Sequence, residues 1–371
     1  MTQVASQDWE VLLDGADRER ALRIVDEIAR AVATAVPKLQ AGLMGPAGIA
    51  VFLAHAESAG IAENLGAAAA LEAGLHGLGA TESVGLWTGY AGLRWALRAL
   101  SAGDDVDALV DHIDRTIAKS LAREGQAVDS DLYSGLAGVI LGYLDDDSPT
   151  ARHVISCALD HLEAFSVTSI GPNSVGCVHG LAGVIAALAR CIGTDVEPAR
   201  SRKLLVEHLD VLIRYDATDA SFSWCKGEPG IALALLAAAS VLDRPDLASR
   251  AVSLALAPFR RASLAPPVDA GLCHGTAGIA HIYNRLYQAT RHPELREHAR
   301  EWLHKTMDLH MPGDGIGGYK MLRGKPITYW EADPGLLAGS SGVGMVLLAG
   351  ATPFTPNWDR LIAADLAPAH G

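Results

Sequence analysis

Aromatic residues are scarce in this chain, with 5 Phe, 7 Trp and 8 Tyr among 371 residues. That argues against a sheet sandwich and against the aromatic platforms or isoprenoid pockets of sugar- and prenyl-handling toroids. Positive charge is also short, 30 Lys and Arg against 43 Asp and Glu for a net charge of −13, so phosphate-rich partners would be repelled and nucleic acid is excluded as a partner. The first ten residues, MTQVASQDWE, hold an acidic pair and no basic flank ahead of an apolar core. They do not form a secretory signal, and a cytoplasmic protein is expected. No uncharged run of membrane-spanning length is free of helix breakers. The longest that also lacks histidine, Pro334 to Trp358, has membrane-spanning length but is interrupted by Gly, Ser, Thr, Asn and three prolines, which suits a buried helix and predicts no membrane span. Cysteine is sparse and odd in number, at 157, 177, 191, 225 and 273. A disulfide framework is therefore not expected, and any cysteine with a task is a thiolate or a metal ligand.

What remains is half hydrophobic and only one-fifth charged, enough to bury a large core. It is organised by a repeat. Seven segments share Gly-x-x-Gly followed by an apolar run, beginning at Gly45, Gly89, Gly135, Gly180, Gly227, Gly275 and Gly339, at intervals of 44, 46, 45, 47, 48 and 64 residues. Between them lie amphipathic stretches, Asp17–Val36, Asp104–Arg123, Thr150–Phe165, Glu197–Arg214 and Glu294–His310, with apolar residues three to four apart. The alternation predicts an all-α fold. Outer helices with one polar face enclose inner helices that are apolar all round, giving an α/α toroid of seven inner and seven outer helices as one domain over residues 1–371. An open solenoid of helix pairs is the competing arrangement, and it would expose the apolar inner faces. The longer last interval contains a glycine-rich loop, 313–335, with room for short hairpins.

Glycine at helix entry permits close backbone approach, which accounts for most of these glycines. Function is sought where equivalent positions differ. Two residues before the leading glycine stand Cys225 in repeat five and Cys273 in repeat six; one residue before it stand His179 in repeat four and His274 in repeat six. In a closed ring these loops share one end, so the side chains would converge at its mouth. Two thiolates and an imidazole are a donor set that zinc prefers, and three protein ligands leave a fourth position open for chemistry. Cys225, Cys273 and His274 are the expected ligands of one Zn²⁺. Cys177, Cys157 and Cys191 are assigned to packing. Histidines on outer-helix patterns, among them His112, His161, His208 and His298, are expected in solvent, while His281 lies on an inner helix.

The runs Ser223–Gly230 (SWCKGEPG), Gly271–Gly278 (GLCHGTAG) and Cys177–Gly183 (CVHGLAG) resemble the three signature motifs of the lanthipeptide cyclases, the zinc-dependent lanthionine synthetase C family, in its stand-alone, class I form. The resemblance covers essentially the whole chain, and it implies the same three zinc ligands. It further implies an acid/base role for His179 and a catalytic role for Asp131, four residues before Gly135. Ser221 stands where some members carry arginine, and Lys226 and Glu228 add charge inside the Ser223–Gly230 motif.

The implied chemistry is addition of a peptide cysteine thiolate to dehydroalanine or dehydrobutyrine, closing a (methyl)lanthionine thioether ring in a dehydrated precursor peptide (leader plus core). Zinc would deprotonate the thiol, and a proton must reach the α-carbon. With no dehydration region in the chain, transient partnership with a separate dehydratase is expected. Two other readings are a non-catalytic, zinc-stabilised peptide-binding scaffold and an enzyme adding glutathione to dehydrated residues.

Overall fold

A computed structural model describes residues 9–38, 40–76, 79, 81–123, 128–165, 174–214, 221–261, 264–324 and 326–366. The seven apolar runs form α2 (Pro46–Ser58), α4 (Tyr90–Leu100), α6 (Leu136–Tyr143), α8 (Leu181–Gly193), α10 (Glu228–Leu242), α12 (Thr276–Thr290) and α14 (Ser340–Ala351). Each packs on the next, and α14 returns to α2, closing the inner ring. Outside it lie α1 (Gly15–Thr34), α3 (Ala67–Leu75), α5 (Asp104–Leu121), α7 (Pro149–Ala164), α9 (Pro198–Leu212), α11 (Pro245–Leu256) and α13 (Pro293–Asp308). The toroid is therefore closed, and the open solenoid is excluded. The five outer helices expected from periodicity begin and end within two residues of the observed ones, while α3 and α11 complete the outer ring. β1 (Met321–Arg323) and β2 (Tyr329–Glu331) pair antiparallel as a hairpin inside the long last interval. All twelve residues of α14 are buried, and among the described residues no helix is long and apolar enough to cross a membrane.

The glycine motif follows from how each loop meets its helix. Before α6 the chain doubles back so far that a Cβ on Gly135 would lie 2.0 Å from the Asp129 carbonyl oxygen, and one on Gly138 would lie 2.3 Å from that of Leu132. Both distances are impossible for any other residue. The Asp129 and Ser130 carbonyls cap the helix, accepting from the Leu136 and Ala137 amides at 2.8 and 3.2 Å, and equivalent bonds recur in other repeats, so the glycine N-caps need no side chain.

Charge inside the ring is paired. Arg94 on α4 is buried and contacts Asp114 of α5 at 2.7 Å and Asp146 at 2.5 Å, with the Tyr143 hydroxyl 2.6 Å from Asp114. Arg285 on α12 meets Asp359, which also lies 2.9 Å from His281. Asp359 belongs to a segment, residues 352–366, that fills the centre of the ring. Its 3₁₀ turn Trp358–Ile362 is buried, and the Trp87 and Trp224 indoles donate to its Leu361 and Ile362 carbonyls at 3.2 and 2.9 Å. The solvent expectation holds for His112 but fails for His208. That ring is buried, bonds the Leu204 carbonyl at 2.8 Å, and turns toward the inner layer because its position falls on the apolar stripe of α9. His161 and His298 are half-buried, the first 2.6 Å from the Leu121 carbonyl and the second stacked on Phe259.

Candidate metal centre and its dyad

The loops entering the inner helices are laced together by backbone hydrogen bonds that pass from repeat to repeat. Met44 N donates to Trp87 O at 3.0 Å, Trp87 N to Tyr133 O at 3.0 Å, Leu132 N to Val178 O at 3.1 Å and Val178 N to Cys225 O at 3.2 Å; Cys273 N donates to Leu337 O at 2.9 Å. Close approach is required here, since a Cβ on Gly176 would lie 2.4 Å from the Cys225 carbonyl oxygen. Among the described residues no such bond joins the loop of Cys225 to that of Cys273. Across that gap the two cysteines and His274 come together.

Side-chain direction follows position in the motif. Three residues before the leading glycine stand Leu86, Leu132, Cys177, Trp224, Leu272 and Leu336, all buried against the inner helices. Cys177 thus occupies a packing column, and burial pushes its thiol up to about 12. In repeats five and six the next two columns turn to the mouth. Cys225 and Cys273 are half-buried and His274 is exposed, and their donor atoms all lie within 4.8 Å of one another. A zinc tetrahedron with bonds of about 2.0–2.3 Å has edges of about 3.5–3.8 Å, so small side-chain adjustments would close this cluster on the ion, whose preferred donors it supplies. No fourth His, Cys, Asp or Glu among the described residues joins the group. The Cys273 thiol donates to Cys225, which with help from Ser223 and His274 and against burial is held below its ordinary value, while Cys273 is held above it. The seven inner helices also present their N-termini to this mouth, a field that favours anionic sulfur.

His179 lies in the next repeat loop but one from Cys273. Its Nδ1 is 2.6 Å from Asp131 Oδ2, and the ring is 55% exposed while Asp131 is 14% exposed. Asp131 is fixed in turn, because its Oδ1 accepts from the Ser134 amide at 2.8 Å and hydroxyl at 3.3 Å. All five side chains singled out from the sequence therefore belong to two clusters at the mouth, the Cys225, Cys273 and His274 trio and the Asp131 and His179 dyad.

Sequence reasoning missed two neighbours. Tyr133 stands two residues before Gly135, in the column of Cys225 and Cys273, and packs edge-on against His179 with ring centres 5.3 Å apart. Burial, then the charges of Cys273 and Asp131, keep its hydroxyl protonated. The column alignment contained this signal, but only sulfur and imidazole had been followed through it. Arg323 of β1 is anchored on Asp333 at 2.7 Å and on the Ala338 carbonyl at 2.5 Å, and its charge bears on Cys273. It brings a guanidinium to the site from the hairpin, whereas Ser221 only bonds Ser223. Glu228 is buried in the first turn of α10, 2.5 Å from Arg261, which accounts for its charge within the motif; Lys226 is exposed in the column of His179 and His274.

A cavity of about 730 Å³ lined by Arg94, Arg98, Asp145 and Arg360 lies at the opposite ends of the inner helices and shares no residue with this site. The solved structure of a nisin cyclase has the same fold, with a TM-score of 0.68 and 16% sequence identity over 94% of this chain and 97% of that one. The family model described as lanthionine synthetase C-like protein matches residues 15–362, nearly the whole ring from α1 to the central 3₁₀ turn. With that extent of match, the chain belongs to the lanthionine synthetase C-like family.

Proposed function

We propose that the chain is a zinc-dependent lanthipeptide cyclase, one toroid domain that closes thioether rings in a dehydrated precursor peptide. It acts in the cytoplasm after a separate dehydratase. One observation carries this reading: in a member of this family, two cysteines and a histidine meet at the ring mouth with no fourth protein donor among the described residues. The likeness to nisin cyclase supports the same activity.

Zinc held by Cys225, Cys273 and His274 would supply a fourth position at which a peptide cysteine loses its proton near neutral pH. The protein's own groups handle that proton. Because Asp131 accepts from Nδ1–H of His179, the neutral ring presents Nε2 as an acceptor toward the mouth. His179 takes the thiol proton and returns it to the α-carbon after sulfur has added at the β-carbon, so S–H is added across C=C with nothing oxidised or reduced. Asp131 holds the tautomer.

The test uses a synthetic peptide with one dehydroalanine and one cysteine a few residues apart. Cyclisation leaves the mass unchanged, so free thiols are alkylated after incubation and unalkylated peptide is counted by mass spectrometry. Wild type should protect the peptide and carry about one zinc. Cys273→Ala should lose both zinc and activity while circular dichroism stays helical, since so large a core does not depend on one ion. Full zinc retention in that variant would sink the ligand assignment.

A further inference from the structure

The cyclase reading leaves one charge unattended. When sulfur adds to the β-carbon, the π pair shifts and the adjoining carbonyl oxygen carries negative charge as an enolate until a proton arrives at the α-carbon. A preformed donor aimed at that oxygen lowers the barrier. His179 does not serve it, because Nδ1–H is committed to Asp131 and Nε2 carries the moving proton. His274 is committed to the trio.

In the column two residues before the leading glycine, repeats two to seven hold Trp87, Tyr133, Val178, Cys225, Cys273 and Leu337. Trp87, Val178 and Leu337 are buried. Tyr133 is the other half-buried member, and the one that carries a hydroxyl. Its ring stands edge-on to His179 at 5.3 Å, so hydroxyl and imidazole share one wall of the mouth. Repeat three and repeat six lie three places apart in a ring of seven, yet Cys273 is close enough to bear electrostatically on the Tyr133 hydroxyl. Among the described residues this hydroxyl has no hydrogen-bond partner, unlike Tyr143, Tyr283, Tyr287 and Tyr319, which all donate.

We propose that the Tyr133 hydroxyl donates a hydrogen bond to the carbonyl oxygen of the dehydro residue as negative charge collects there, a catalytic role beside that of His179. This rests on the cyclase reading. The hydroxyl keeps its own proton throughout; the C–S bond forms at the β-carbon, the thiol proton ends on the α-carbon, and C=O is restored.

The experiment compares Tyr133→Phe and Tyr133→Leu with wild type on the same dehydroalanine and cysteine peptide. In Tyr133→Phe, kcat should fall on the order of 10²-fold with KM and zinc content unchanged, as for loss of one oxyanion donor. The deficit should be equal from about pH 6 to about pH 9, because a group that stays protonated contributes alike across that range. Wild-type kcat in Tyr133→Phe overturns the proposal, and if Tyr133→Leu alone is slow, the ring serves only to position His179. A deficit in Tyr133→Phe that varies with pH in step with a titrating group also overturns it. A wild type that leaves the peptide thiol free removes the underlying cyclase reading instead, so the two failures are distinct.

Discussion

Asp131→Asn tests the dyad sharply, because the surroundings dictate how the new amide must sit. Oδ1 of Asp131 accepts from the Ser134 amide at 2.8 Å, and a backbone N–H can be satisfied only by an acceptor. In Asp131→Asn the carbonyl oxygen therefore keeps that place, and the NH₂ group takes the position of Oδ2, 2.6 Å from His179 Nδ1. An NH₂ group is a donor, so Nδ1 must accept and the ring proton moves to Nε2. Nε2 then has no lone pair for the thiol proton. The productive tautomer returns only if the amide flips, leaving the Ser134 N–H facing a donor, at about 1–3 kcal/mol. That energy corresponds to roughly a 5- to 150-fold slower ring closure. Removing the imidazole with His179→Ala abolishes proton transfer outright and should cost about 10²–10⁴-fold, so Asp131→Asn is the milder of the two. Both variants should keep zinc and KM, since neither residue belongs to the trio. The thiol-alkylation assay measures all three rates. Cyclisation by Asp131→Asn at the wild-type rate would show that the 2.6 Å contact does not set the tautomer.

Two further outcomes follow from burial. His55, His208 and His281 are each held below the ordinary imidazole value, chiefly by burial, so the unfolded chain binds protons more readily than the native one. Their stabilisation is whole above about pH 6.5 and is lost as pH falls through the lowered native values, by up to about 1.4 kcal/mol per pH unit for each histidine. Urea midpoints should therefore drop between pH 7 and pH 5, and a flat profile would contradict the burial of these rings. Native protein treated with an alkylating reagent should be spared at Cys177 and Cys191, both buried with thiols pushed up to about 12, and modified there only after unfolding; labelling of Cys177 in the native state would place it outside the packing column.

The glycine spacing made the ring legible, because the backbone doubling back at every helix entry leaves no room for a side chain and so stamps the same residue on each repeat. The mouth was legible for the same reason. Once the loops are equivalent, a column in the alignment is a place in space, and Cys225, Cys273, His274 and His179 fall into two adjacent columns. The hidden parts depend on contacts between repeats whose register no periodicity reports. Arg94 and Arg285 look like blemishes on apolar helices until Asp114, Asp146 and Asp359 are brought to them from other elements. Glu228 finds Arg261 only after α11 has returned the chain to the ring. His208 differs from His112 by which side of its outer helix faces inward, a matter of one hundred degrees of helical phase.

Residues 352–366 were the least legible of all, and they bear on why the site is shallow. They lack a repeating pattern, since a 3₁₀ turn with irregular flanks has no period to detect. Yet a ring of seven largely apolar helices cannot leave its axis to water, and the segment supplies the filling: Trp358, Leu361 and Ile362 are buried there, while Arg285 and His281 bind Asp359 from α12. The Trp87 and Trp224 indoles, which hang from two of the mouth loops, donate downward to Leu361 and Ile362, so the filling reaches the underside of the floor on which Cys225 stands. Trp224 is the residue directly before Cys225, and its bond to the core helps fix the height of that sulfur. Side chains raised on such a floor face outward, as the exposure of His179 and His274 shows. An outward-facing site suits a long peptide laid across the rim, where successive cysteines can be presented in turn without threading the chain through the ring.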